Sequence, residues 1–404
     1  VHYLADLQKQ NKTRLFLILN GLALSVYFFI ALKFGYLQNL GELMFWSNDA
    51  NKYKEIADWV FGLKTSSTYI ALIPLFYPLL LGVMSLGGVY LIWFVQFAFW
   101  LVSINLIAYR IGQFTGRNLF SVIAFVIFSV NISLITLTFH ALTETLVLFL
   151  SSLWLFVFFG NNSRFNLKEL FILTLLLSLL AVTKPVYQLH LGLFLMVVLA
   201  ITVFRRVNVI GTLVVLVLAL IPVIIQLSIM ANLYHSFGLS KLSGRTMKDY
   251  YFSKVYMQVE KLPTIEAARQ QVIDYDDKQI RHYLYEHPRQ SATVFVETVV
   301  RNMVSGSNFI DRTKYYNFFL FTVFTNLIYF CIHIILLPVT IRTMLFEKGV
   351  NLQVGFSYIF FLLILFGAGF SFFQGDRLIV TSLPLWLITY AYVQVGTTKK
   401  LPIT

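Results

Sequence analysis

Charge is scarce in this chain: only 12% of its 404 residues are Asp, Glu, Lys or Arg, against roughly 25% in soluble globular domains. That shortage excludes an ordinary water-soluble domain, whose surface is covered by ionised side chains. Cysteine is nearly absent as well. The single Cys331 lies inside an apolar run, so an intramolecular disulfide is excluded and the redox compartment cannot be read from cysteine usage. No small-residue cleavage site follows the first apolar run, which is therefore expected to act as an uncleaved signal anchor. Inspection finds no tandem repeat, which argues against a solenoid or an array.

Apolar sequence fills the chain instead, at 58% hydrophobic residues and a mean hydropathy of +0.76. Apolar runs of about 18 residues suffice to cross a hydrocarbon core of about 30 Å. They predict an all-α polytopic membrane protein with spans near 14–34, 88–109, 119–138, 141–160, 169–184, 188–204, 208–231, 316–338, 353–373 and 378–395. The net charge of +13 is explained by topology. With the N-terminus inside, alternate connections carry Lys9, Lys12 and Arg14, then Arg110 and Arg117, Arg164 and Lys168, Arg205 and Arg206, Arg342 and Lys348, and Lys399 and Lys400, against only Asp6, Glu169 and Glu347. This is the positive-inside pattern, with both termini cytoplasmic and no nucleic-acid partner implied. Trp46, Trp59, Trp93, Trp100, Trp154 and Trp386 suit interfacial anchoring.

Two long segments fall on the outer face, 35–87 and 232–315. They divide the chain into an N-terminal transmembrane module (1–231) carrying the first outer loop, an extracytoplasmic helical segment (232–315) and C-terminal transmembrane helices (316–404). The apolar stretch with Pro74 and Pro78 would invert every later loop if it crossed the membrane, so it is expected to be re-entrant or interfacial. In the second segment Ile265, Ala268, Val272, Ile280, Tyr283 and Leu284 have helical spacing, and Pro288 is placed to begin a further helix.

Charges at span ends are the informative ones, because an Asp, Lys or Arg at a helix centre costs about 2.5 to 3.5 kcal/mol even on lenient insertion scales. On this topology four places share the outer face: Asp49 in SNDANKYKEIADWV, His140 with Glu144 in HALTETLVLF, Lys184 before Pro185, and Asp376 with Arg377 before the final span. Each has a plainer reading. Asp49 could be a helix N-cap. His140 and Glu144, one helical turn apart, could share a helix face and bond between helices, and two ligands do not make a metal site. Lys184 and Arg377 could snorkel, and Asp376 could neutralise Arg377 or cap a helix. Tyr53 and Trp46 could simply pack at the interface.

The succession Asp49, Tyr53, Ile56, Ala57, then Pro74, Tyr77 and Pro78, resembles the GT-C superfamily of membrane glycosyltransferases, in particular the lineage of protein O-mannosyltransferases and aminoarabinose lipid A transferases. Thr143 with Glu144, Lys184 with Pro185, and Arg377 with Pro384 continue the resemblance in order along most of the chain. Two positions depart from it: Ala50 stands where some members carry a second acid, and Leu378 where a Tyr usually follows the Arg.

The resemblance implies inverting transfer of a sugar from a polyprenyl-phosphate donor to a glycan, lipid or protein acceptor at the outer face of a cell membrane, with no cofactor and no metal. Asp49 would serve as general base. Lys184 and Arg377 would stabilise the phosphate leaving group, Arg377 more strongly because a guanidinium chelates phosphate oxygens in pairs. Tyr53, His140, Glu144 and Asp376 would support the site, and Asp49, Lys184 and Arg377 would line one cavity. Two other classes remain open: a glycan polymerase or ligase using a diphosphate-linked donor through Arg245, Arg269, Arg281, Arg289, Arg301 and Arg312, and a lipid or small-molecule transporter.

Overall fold

The computed structural model describes residues 2–67, 69–160, 166–205, 208–346, 352–372 and 374–396. Arg164, Arg206, Glu347, Lys348, Lys399 and Lys400, which the charge pattern places in cytoplasmic connections, lie outside the described residues. Among the described residues every regular element is helical. The N-terminal part runs through α1 (His2–Lys33), α2 (Leu40–Met44), α3 (Asn48–Val60), α4 (Phe76–Ser85), α5 (Gly88–Thr115), α6 (Asn118–Ser129), α7 (Ile132–Leu137), α8 (Thr143–Phe158), α9 (Leu167–Ala181), α10 (Tyr187–Arg205), α11 (Val209–Ala219) and α12 (Ile221–Tyr234). A helical cap follows: α13 (Leu242–Thr246), a π-helical turn Met247–Phe252, α14 (Ser253–Val259), α15 (Ile265–Gln271), α16 (Asp277–Glu286) and α17 (Pro288–Val304). The chain then returns through α18 (Tyr316–Phe346), α19 (Leu352–Gly369), α20 (Arg377–Val380) and α21 (Leu383–Gly396).

Four of these helices are long and apolar enough to cross a membrane: α1 from Thr13 onward, α5, α10 and α18. A fifth is available if α11 and α12 count as one span bent by 55°. Pro222 lies in the first turn of α12, where its missing N–H and its ring break the helical ladder running in from α11. Other expected spans are shorter or interrupted. The run at 119–138 divides because Asn131 accepts a hydrogen bond from Leu134 N at 2.9 Å and starts α7 afresh. The run at 169–184 gives a helix of 15 residues, and that at 378–395 divides into α20 and α21.

The distribution of side chains is inverted relative to a soluble bundle. Leu17, Phe204 and Ile210 stand exposed, while Glu144, His190 and Asp376 are buried. An outward apolar surface and an inward polar one suit lipid as solvent. Three of the six tryptophans are not interfacial anchors: Trp100, Trp154 and Trp386 are buried within the bundle. Trp154 stacks on Phe158 and Phe360 at 4.3 and 5.0 Å, which explains its place better than a headgroup would.

The segment between α1 and α5 lies against the bundle, α2 and α4 both packing on α5. At 10 residues, α4 extends about 15 Å at about 1.5 Å per residue, half of a hydrocarbon core, in keeping with a segment that does not cross. Ile56 and Ala57 bury the inner face of α3, and Tyr53 meets Tyr77 of α4 edge to face at 5.0 Å. Gln226 of α12 fixes two connecting segments at once, accepting from Leu75 N at 3.1 Å and donating to Leu239 O at 2.9 Å. Pro288 opens α17 as expected, while Thr264 caps α15 and Asp276 with Gln279 forms a capping box on α16. Of the six positions with helical spacing, Ile265, Ala268, Val272 and Ile280 are buried and Tyr283 and Leu284 half-buried.

Candidate functional site

Four chain segments converge on one cluster of charges. Ser47, not Asp49, caps α3, its hydroxyl accepting from Ala50 N at 3.1 Å. Asp49 is thereby released from capping and projects from the first turn. Arg377 Nη2 donates to Asp49 Oδ2 at 2.8 Å, and Lys52 Nζ to Asp49 Oδ1 at 3.1 Å. Arg377 Nε donates to Gln374 Oε1 at 2.6 Å and lies 3.7 Å from Glu144 Oε1. Lys184 Nζ reaches the same Glu144 oxygen at 3.1 Å. Asp49, Arg377, Glu144 and Lys184 thus form one chain of opposite charges, with Lys52 at its outer end. Neither Lys184 nor Arg377 snorkels outward; both turn inward onto carboxylates.

Burial is graded along the chain. Glu144 is 3% exposed, Lys184 15%, Arg377 18%, Lys52 26% and Asp49 32%. Burial works to raise the Asp49 pKa, but the adjacent Arg377 and Lys52 outweigh it and hold the carboxyl at about 2. Asp49 is therefore ionised and, while so paired, a weak base. Burial also raises the Tyr53 phenol, helped by the nearby Asp49 and Glu144 charges; its hydroxyl pairs with that of Thr143, which in turn donates to Glu144 Oε2 at 3.3 Å. The Tyr77 hydroxyl is buried beside them without a partner. Ala50 is fully buried in the core, so a second carboxylate at that position would point away from the cluster into apolar packing.

Two expected relationships do not form. His140 and Glu144 share no helix face, because Leu142 is extended (φ −124, ψ 156) and α8 begins only at Thr143. His140 instead donates from Nδ1 to the Leu43 carbonyl at 2.8 Å, and Ala141 N donates to Met44 O at 2.8 Å, so this turn holds α2, just before α3. Nor does Asp376 neutralise Arg377 or cap α20 with its side chain. Gly375, at φ +61 and in a place where a Cβ would meet Asn308 at 2.8 Å, turns the chain so that the two neighbours diverge. Asp376 Oδ2 accepts from Ser133 Oγ of α7 and from Asn326 Nδ2 of α18, the latter at 2.9 Å.

Sequence reasoning had no place for Lys52 or Gln374. Lys52 was findable: at i+3 from Asp49 on a helix, it shares that residue's face. The expected cavity among Asp49, Lys184 and Arg377 takes another form, since the groups bond directly or through Glu144 and do not face one another across a cleft. The arginines proposed for a diphosphate donor have other company: Arg245 pairs with Asp249 at 3.0 Å, Arg269 bonds the Asp249 carbonyl at 2.7 Å, and Arg301 and Arg312 lie over Phe372 and Phe319. Lys254, paired with Glu297 at 2.8 Å, covers the same Phe372 ring at 3.9 Å, so the cap grips the loop leading to Arg377. Comparison with known protein families, curated proteins and solved structures yields no match for this chain.

Proposed function

We propose that the protein is an inverting glycosyltransferase of the GT-C type, with about ten membrane-spanning segments, some of them broken or short. It would move a sugar from a polyprenyl-phosphate donor to a glycan, lipid or protein acceptor at the outer face of the cell membrane. The observation that carries the reading is the convergence of residues 49, 144, 184 and 377 from four distant segments into one ion chain. A set of charges that served only to end spans would have no reason to meet.

In this reading Asp49 takes the proton of the acceptor hydroxyl as its oxygen bonds the anomeric carbon. The bond from that carbon to the phosphate oxygen breaks, its electron pair stays on phosphate, and Arg377 with Lys184 stabilises the added negative charge. No second carboxylic acid is needed, because phosphate leaves as a stable anion. Glu144 holds both cations in position, while His140 supports the loop carrying Asp49 through α2. Asp376 packs the turn before Arg377 from the opposite side.

The test is turnover of Asp49→Asn with a lipid-phosphate-linked sugar donor. Transfer is expected to fall by a factor of a thousand or so, at the upper end of what general base catalysis contributes, about 10²–10⁴, while the donor stays bound. Substantial residual turnover would remove Asp49 as the base. The diphosphate-donor class has less support, because four of its six arginines, Arg245, Arg269, Arg301 and Arg312, are engaged with a carboxylate, a carbonyl and rings and none of the four with Asp49 or Glu144.

A further inference from the structure

Asp49 is clamped through both of its oxygens, Oδ1 by Lys52 at 3.1 Å and Oδ2 by Arg377 at 2.8 Å. Two cations placed around two anionic oxygens also make a holder for the non-bridging oxygens of a phosphodiester. We propose that Asp49 occupies the donor phosphate's place in this resting arrangement, and that the phosphodiester exchanges with it for Lys52 and Arg377, so that donor binding itself frees the base. The proposal rests on the glycosyltransferase reading for the identity of the donor, and it adds Lys52 to the phosphate site.

Charge balance favours the exchange. Among the described residues, Lys52, Lys184 and Arg377 face Asp49 and Glu144, an excess of one positive charge. A phosphodiester brings one negative charge. The burial gradient indicates which contact yields: Glu144 and Lys184 are the most enclosed, whereas Asp49 and Lys52 form the accessible end. Arg377 is anchored on its Nε edge by Gln374 at 2.6 Å and by the nearby Glu144, so its Nη2 edge can change partner without moving the guanidinium far. Asp49 can leave by side-chain rotation alone, since Ser47 fixes the start of α3 independently of it.

The exchange also resolves a chemical conflict. A carboxylate held by two cations accepts a proton poorly, yet the reaction needs it to accept one from the acceptor hydroxyl. Once phosphate has taken the cations, the Asp49 carboxylate is both free and more basic, and the same cations meet the charge that develops on the leaving phosphate. Competition by Asp49 lowers the apparent affinity for donor in the wild type, as any unfavourable resting equilibrium must.

The experiment measures binding of a polyprenyl methyl phosphate, a phosphodiester that carries the donor's single negative charge without the sugar, to the whole chain in lipid nanodiscs. Asp49→Asn is expected to tighten binding on the order of tenfold, a typical coupling between competing ligands. Lys52→Gln should weaken it on the order of threefold to tenfold, the loss of one exposed charge-assisted contact. Unchanged or weaker binding by Asp49→Asn overturns the exchange. Should that variant fail to fold, Lys52→Gln carries the test: unchanged affinity overturns the place given to Lys52 and with it the exchange. Displacement of the lipid by an equal concentration of inorganic phosphate would overturn the lipid-headgroup assignment. Transfer activity in the wild type without tightening in Asp49→Asn sinks the exchange alone, whereas tightening with no transfer from lipid-phosphate sugars sinks the glycosyltransferase reading alone.

Discussion

Arg377 and Asp376 are neighbours in sequence, yet they belong to two polar regions built on opposite principles. Arg377 enters a cluster in which each carboxylate meets at least two cations. Asp376 enters a region between α7, α18 and α21 where hydrogen bonds from Ser133 and Asn326 are its partners and no cation is paired with it. Beyond Asn326, Tyr329 and His333 continue the same face of α18, His333 Nδ1 meets the Tyr390 hydroxyl at 2.7 Å, and His333 Nε2 is buried without a partner. The pKa values follow. Burial raises both carboxyls, but cations overcome it at Asp49, giving about 2, whereas neutral donors only moderate it at Asp376, giving about 6. Charge pairing, more than depth, decides whether an enclosed acid here stays ionised.

The largest break in this comparison is expected from Glu144→Ala, which leaves Lys184 and Arg377 enclosed without their shared carboxylate. Removing one partner from a buried pair costs about 3–5 kcal/mol, read as a lowered thermal-unfolding midpoint of the purified protein. A midpoint equal to wild type would mean that water, not Glu144, satisfies the two cations.

Asp376→Asn acts in the opposite direction. The folded-state pKa of Asp376 is raised from 3.8 to about 6, so the native state binds the extra proton and wild-type stability falls as pH rises from about 4 to about 6. The amide should therefore stabilise the protein above pH 6 by on the order of 1–3 kcal/mol and leave it unchanged below about pH 4. A variant less stable than wild type at pH 7 would contradict this.

Asp49→Asn probes the opposite sign. Its depressed pKa gives stability that is present above about pH 4 and lost as pH falls towards 2. The variant should lack that acid limb in a pH series of unfolding midpoints, and a limb as steep as in wild type would assign it to another group. Smallest of all is Lys52→Ala. Because that pair is solvent-reached at both partners, it should alter stability by less than about 1 kcal/mol, with any larger effect appearing in anion binding.

Much of the fold was legible because periodicity and caps are local properties. The helical spacing around Ile265 to Leu284, and Pro288 as a first-turn residue, need no distant partner to be read. The members of the charge cluster were also legible as candidates, since Asp49, Glu144, Lys184 and Arg377 stand out as charges at the ends of apolar runs. Their hierarchy was not. Glu144 is the hub that both inner cations share, and only three-dimensional convergence puts Lys184 and Arg377 on the same oxygen. The divergence of Asp376 from Arg377 depends on a single positive φ at Gly375, and the failure of His140 and Glu144 to share a face on the extended Leu142. Backbone angles of this kind leave no periodic trace.

Gln226 carries a further consequence. One amide, on a helix bent at Pro222, bonds the amide nitrogen of Leu75 and the carbonyl of Leu239, and the Lys241 nitrogen adds a bond to the Ala71 carbonyl at 2.8 Å. The loop that bears Asp49 and the entrance to the cap are in effect riveted at one point. An insertion in either segment therefore displaces the seat of the other, with the shared anchor inside the bundle.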